Sequence, residues 1–162
     1  MAIPTNREQL DNGSPGGCRV DGLAREVIDP SGTSTTLTVG QSGALCLFGT
    51  AGGQTYILPV ITADDIGMWF EFFANITGTG TYSITTGTSS TYLVGAVDYS
   101  STAVAEGGDT FVANGTDDDD YTADSDVTGR LVGTNLQLIA ISTTQWTISG
   151  TAFGVGTGTT PF

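Results

Sequence analysis

The sequence predicts a nearly all-β domain preceded by an extended N-terminal arm, and three observations carry that reading. The chain has 24 glycines, abundant threonine and only 13% charged residues. Glycine and β-branched residues lower helix propensity, and threonine suits a pleated surface. From Thr33 onward, short apolar runs are separated by turn signals at roughly 8–12-residue spacing, as in a sandwich or barrel. Before that point the chain shows breakers with little apolar periodicity between them: Pro4, Asn12-Gly13, Pro15-Gly16-Gly17 and Asp29-Pro30.

At 162 residues the chain fits one domain of about 100–150 residues with an appendage. A chain of this size buries roughly 68–70% of the surface its unfolded form exposes, so a real core is possible. We take residues 1–31 as the arm, 32–150 as the body and the glycine-rich 151–162 as a C-terminal tail, either flexible or a last strand. Within the arm only Val20–Ile28 has the composition of a short helix or strand.

The strands expected in the body are Thr35–Val39, Ala44–Phe48, Thr55–Leu58, Met68–Ala74, Thr81–Thr85, Tyr92–Val97, Thr110–Val112, Arg130–Val132, Asn135–Ile141 and Trp146–Ser149. Turns at Gln41-Ser42-Gly43, Ala51-Gly52-Gly53, Gly78-Thr79-Gly80 and Gly107-Gly108-Asp109 separate them. The clearest unit is the last hairpin. Leu136, Leu138 and Ala140 alternate with Gln137 and Ile139, and Ser142–Gln145 turns the chain so that Trp146 and Ile148 share a face.

Met68–Phe73 (MWFEFF) is apolar on both faces. Met68, Phe70 and Phe72 share one side, while Trp69 and Phe73 flank Glu71 on the other. A sheet with one face in water shows polar residues at alternate positions. Exposed rings invite aggregation, so another sheet or another subunit is expected to cover Trp69 and Phe73.

The formal net charge is −13, and it is unevenly placed. The arm holds Arg7, Arg19 and Arg25 against Glu8, Asp11, Asp21, Glu26 and Asp29, a net of −2; residues 32–162 hold Arg130 against twelve acids, a net of −11. Direct nucleic-acid binding needs a basic face that this chain does not have. Residues Met1–Asn12 lack the apolar run of a signal peptide, and no stretch approaches a membrane span, so secretion and membrane anchoring are not expected.

The chain contains neither histidine nor lysine. Histidine dominates general acid–base chemistry and metal ligation, and lysine supplies Schiff bases and phosphate-binding charges. A nucleophilic site would have only carboxylates as bases, and the glycines form no phosphate loop. Asp64-Asp65 and Glu71 are the acids nearest apolar strands, and Asp64-Asp65 read as turn-formers. No enzyme and no cofactor are expected. Asp117–Asp120 with Asp124 and Asp126 puts six acids within ten residues. It lacks the register of an EF-hand loop and reads chiefly as a solvated, self-repelling projection, with a calcium site as the alternative. Cys18 and Cys46 read chiefly as two reduced thiols, Cys46 in a core strand, with a disulfide between them as the alternative.

Taken in order, LTVGQSGALCLFGTAGGQTYILP (Leu37–Pro59), GMWFEFFANITGTGTYSITTG (Gly67–Gly87), GGDTFVANG (Gly107–Gly115) and GTNLQLIAISTTQWTISG (Gly133–Gly150) form a familiar pattern. It resembles a group of tailed-bacteriophage virion proteins, usually capsid decoration (cement) or head-fibre proteins, across roughly Leu37–Gly150. The Asp117–Asp126 segment looks like an insertion, and Thr147 stands where the group has an aromatic. The resemblance implies an antiparallel β-sandwich or jelly-roll-like domain, commonly a homotrimer, bound to the major capsid protein on the outer capsid surface and made in the host cytoplasm. Arg7, Arg19 and Arg25 of the arm, with Trp69 and Phe73, are then the candidate partner-binding residues. The competing expectation is a fibre adhesin binding host glycans, with Tyr92, Tyr99 and Tyr121 as stacking platforms; a calcium-dependent secreted module is a third.

Overall fold

The computed structural model describes residues 25–30, 32–103 and 108–162. Its strands among these residues are β1 (Val27–Ile28), β2 (Ser34–Thr36), β3 (Leu45–Phe48), β4 (Gln54–Ile57), β5 (Trp69–Ala74), β6 (Tyr82–Thr85), β7 (Tyr92–Ser101), β8 (Asp109–Asn114), β9 (Asp120–Ala123), β10 (Asn135–Ser142) and β11 (Gln145–Gly154). They form a seven-stranded sheet ordered β1-β3-β5-β10-β11-β7-β8 and a four-stranded sheet ordered β2-β4-β6-β9. The protein is all-β in two sheets.

The strand directions differ from the antiparallel expectation. From β1 to β6 the chain alternates between sheets, so β1, β3 and β5 lie parallel in one and β2, β4 and β6 parallel in the other. A hairpin keeps successive strands side by side in one sheet, whereas parallel neighbours need a crossover between them. Here each crossover is itself a strand of the opposite sheet, and the first half of the chain winds as a flat coil. Antiparallel pairing enters with β10–β11, β5–β10, β6–β9 and β7–β8. The longest ladder, β11 on β7, is parallel from Gln145↔Tyr92 to Gly154↔Ser101.

The sheets share one core. Cys46, Phe48, Phe70, Phe72, Leu136, Leu138, Trp146 and Ile148 point inward from the larger sheet and meet Tyr56, Tyr82, Ile84 and Tyr121 of the smaller. Phe48 stacks on Tyr82 at 4.6 Å and meets Tyr56 edge-on at 5.4 Å, so rings from β3, β4 and β6 interlock. Inward tyrosines are tolerated because their hydroxyls reach backbone: Tyr56 donates to the carbonyl of Leu47 at 2.6 Å and Tyr121 to that of Thr128 at 3.3 Å. Two glycines allow close approach on the two sides of β11. Gly95 (φ 138°) and Gly150 (φ 143°) sit within strands, where a Cβ would collide with the carbonyl oxygens of Ile148 and Asn135.

Both boundaries drawn from the sequence move. Residues 25–30 fell within the predicted arm, yet Val27 and Ile28 pair with Leu45 and Cys46, and the Pro30 carbonyl accepts from Gln54 Nε2. At the other end, position 150 lies inside β11, and the segment beyond returns to the body. Thr122 donates to the Pro161 carbonyl at 2.8 Å, and Phe162 packs edge-on against Tyr121. Arg130–Val132 is a turn rather than a strand, bracketed by Gly129 (φ 97°) and Gly133 (φ 98°).

Candidate functional site: the outer face of the larger sheet

Alternation along β5 buries Phe70, Phe72 and Ala74 and turns Trp69, Glu71 and Phe73 outward, as the sequence predicts. Register extends this face across the sheet. One row runs Leu45–Glu71–Gln137–Ser149–Ala96–Val112, flanked by Trp69–Ile139–Thr147–Val94–Asn114 on one side and Leu47–Phe73–Asn135–Thr151–Asp98–Thr110 on the other. Trp69, Phe73, Leu45 and Ile139 are half-buried, and Val112 is 68% exposed. Across these rows the charged groups are Glu71 and Asp98.

Glu71 is neutralised in place. Arg25 Nη1 lies 2.5 Å from Glu71 Oε2, and Asn135 Nδ2 donates to Oε1 at 3.0 Å. The Arg25 hydrogen bond is the largest cause holding this carboxyl below its ordinary range; partial burial works against it, and Asn135 assists. Of the three arm arginines proposed to meet a partner, Arg25 therefore uses its guanidinium within the molecule, while Arg7 and Arg19 lie outside the described residues. Arg25, Trp69 and Phe73 share this one face.

The Trp69 end of the face is fixed by two turns. Ser42 Oγ accepts the Trp69 N–H at 3.2 Å, and the Gly43 N–H donates to the Trp69 carbonyl at 2.7 Å, leaving Gly43 against the indole. Beside the ring lies a depression of about 250 Å³ lined by Val39, Ser42, Asp64, Asp65, Ile66, Gly67, Met68 and Trp69. Asp65 is the cap of its own 3-10 turn: its carboxylate accepts from Thr62 Oγ1 at 2.6 Å and Thr62 N–H at 2.9 Å, and these bonds lower its pKa. The turn role expected of Asp64-Asp65 thus holds for Asp65. Exposed Ile66 and Ile141 extend the apolar surface at this end, because the Gly67 N–H donates to the Ala140 carbonyl at 2.8 Å. Ile139 and Ile141 are functional candidates outside those named from the sequence, and the signal for them is their alternation with buried Leu138 and Ala140.

The acidic run is not a projection. It is the crossover from β8 in one sheet to β9 in the other. The Asp118 and Asp119 carbonyls accept from Leu93 (2.6 Å) and Thr86 (3.0 Å), and Asp120 opens β9 opposite Thr85. The Asp118 carboxylate accepts the Asn114 N–H at 2.6 Å. Tethered to backbone donors at each step, the run lies against the body despite its like charges. Among the described residues no three acidic or thiol side chains come together as a metal site. A cleft of about 480 Å³ runs beside the crossover, lined by Ile57, Thr85–Ser89, Asp119 and Asp120.

The tyrosines offered as sugar platforms are placed otherwise. Tyr99 and Tyr121 are 1% and 0% exposed, part of the core, and half-buried Tyr92 turns its hydroxyl to the Ser89 carbonyl. Cys46 is a free, buried thiol whose pKa is pushed up to about 12, chiefly by burial, then by Glu26, with Arg25 opposing. Such a thiol is inert rather than nucleophilic. Cys18 lies outside the described residues. Among the described residues no helix is long and apolar enough to cross a membrane. Comparison with protein-family models, curated proteins and solved structures finds no match to this chain.

Proposed function

We propose that this chain is a structural virion protein of the capsid-decoration type. It is a non-catalytic β-sandwich or jelly-roll-like subunit, assembled as a homotrimer on the outer surface of a phage capsid and bound there to the major capsid protein. The observation that supports this reading is the outer face of the larger sheet. It is an apolar and hydroxyl-rich surface on a chain of net charge −13, with Glu71 neutralised by Arg25 and Asp98 as the other charged group of its rows. Large apolar patches on soluble proteins mark association surfaces. On so acidic a molecule, a sparsely charged face is where copies and a capsid can be approached with few opposed carboxylates. The sequence resemblance across Leu37–Gly150 names the capsid as the partner.

The test is co-sedimentation of the purified protein with undecorated shells assembled from the major capsid protein encoded with it, followed by heating. Saturable binding that raises the rupture temperature of the shell, and is lost in a Trp69→Ala/Phe73→Ala variant that still folds, is the expected result. No binding to shells, with specific retention on a glycan array instead, would replace this reading with the adhesin one.

A further inference from the structure

We infer that the depression beside Trp69 is a seat for one arginine side chain of a protein partner, held by the indole and by the Asp64 and Asp65 carboxylates. The inference rests on the reading of this face as the partner-facing surface, and it names the chemistry that the partner must bring. The depression holds about 250 Å³, below the roughly 300–1,000 Å³ of small-molecule sites, so it has room for a side chain and not for a whole ligand.

Its lining is of two kinds. Val39, Ile66, Met68 and Trp69 are apolar, and Asp64 and Asp65 are acidic. An apolar side chain would fit the first group and strip water from the carboxylates without replacing it. An anion would meet them as a like charge. A long cationic side chain satisfies both, its methylenes against the apolar groups and its head at the carboxylates. Indole is the best of the aromatic rings for a cation. A planar guanidinium both stacks on a ring and bonds a carboxylate in a fixed fork, which an ammonium does not do.

The two acids are ready for such a head. Both bonds from Thr62, at 2.6 and 2.9 Å, fall on Asp65 Oδ2, which fixes the carboxylate and leaves Oδ1 without a donor. The same bonds hold its pKa below the ordinary value, so it stays charged. Asp64 is exposed, and its carboxylate bonds nothing among the described residues. Neither described arginine fills the seat: Arg25 is engaged with Glu71 and Arg130 with Asp126, and neither lines the depression. Two positions along β5, on the same face, the Arg25–Glu71 pair already makes within the molecule the contact that the seat would make with a partner.

The experiment titrates the isotopically labelled full chain, dilute and at low ionic strength, with a blocked Gly-Arg-Gly peptide and with its citrulline counterpart, which keeps the shape of the head without its charge. Expected is a saturable shift of the Trp69 indole N–H and of the Ile66 and Gly67 amides, with the buried Trp146 indole as an unmoved control. The citrulline peptide binds severalfold more weakly, and added salt weakens the arginine peptide severalfold. Asp64→Asn weakens it likewise at an unchanged melting temperature. Equal binding of the two peptides overturns the inference, as do shifts spread over the acidic surface with no preference for Trp69. Self-association that weakens with salt and is lost in Asp64→Asn overturns the choice of partner and gives the seat to a second copy. A parent chain that binds no capsid shells, yet prefers the arginine peptide, supports the seat and overturns only the capsid reading; shell binding without that preference overturns the seat alone.

Discussion

At the scale of single residues, Glu71 is the carboxylate beside Trp69 and Phe73 whose charge the outer face must offset. Its carboxyl is held below the ordinary value of 4.5 by the Arg25 hydrogen bond first and the Asn135 amide after it. A carboxylate with a depressed folded-state pKa contributes stability that is fully present above its unfolded pKa and is lost as pH falls through the folded value. The pair is partly solvated, with side chains 37% and 23% exposed, so solvent screening keeps its worth near that of a surface pair, about 0.5–1 kcal/mol. We expect Glu71→Gln to be less stable than the parent by that amount at neutral pH, with the gap closing as pH drops below about 4. Chemical denaturation of both proteins across the acid range checks this. A gap that stays constant with pH would mean that shape, not charge, is what Glu71 contributes.

At the scale of elements, the crossover between β8 and β9 is the least obvious piece of the fold. Its four consecutive aspartates are held by the N–H groups of Leu93 and Thr86, and the Asp118 carboxylate caps the open edge of β8 at the Asn114 N–H. An exposed edge strand is a pairing hazard, and a charged cap blunts it. Asp118→Ala should cost about 0.5–1.5 kcal/mol, the worth of one partly solvated hydrogen bond, and Asp118→Asn, which keeps an acceptor, should cost less. Thermal melts of both variants read this directly. Added calcium should leave all three melting temperatures unchanged, and a calcium-dependent rise would instead make the run a metal site. This element also shows where the sequence stops being legible. Strand parity was readable wherever apolar residues alternate, as in MWFEFF and the final hairpin, because burial there acts through every second residue. β9 was not, since aspartates are poor strand formers and only Tyr121 and Ala123, both buried, betray it. Parallel pairing was illegible for a different reason. Gln54–Ile57 has the same alternation whichever neighbour it meets, and its parallel partners are set by turns that send the chain to the opposite sheet. Of the candidate site, Trp69 and Phe73 followed from parity, while the Arg25–Glu71 pair joins residues 46 apart and no local pattern announces it.

At the scale of the whole molecule, the opposition is between a charge of −13 and a face whose rows carry only Glu71, paired with Arg25, and Asp98. Two copies meeting through the outer sheet face gain by covering Trp69, Phe73 and Ile139, and lose by bringing their acidic rims together. The two terms respond differently to salt. Screening shortens the reach of the rim repulsion from about 10 Å at 0.1 M to about 3 Å at 1 M, while apolar contact is untouched or strengthened. Self-association of the chain should therefore tighten as salt rises, and sedimentation velocity at low and high ionic strength measures it. The Trp69→Ala/Phe73→Ala variant should stay dissociated at both, because screening removes a penalty without supplying an attraction. Association that weakens with salt would have the opposite origin. It would require cations and carboxylates facing one another across the contact, and on the described surface only Arg130, already paired with Asp126 at 3.0 Å, and Arg25 could supply the cation. Such a result would move the contact away from the outer face to a region where an arginine outside the described residues meets the acidic rim.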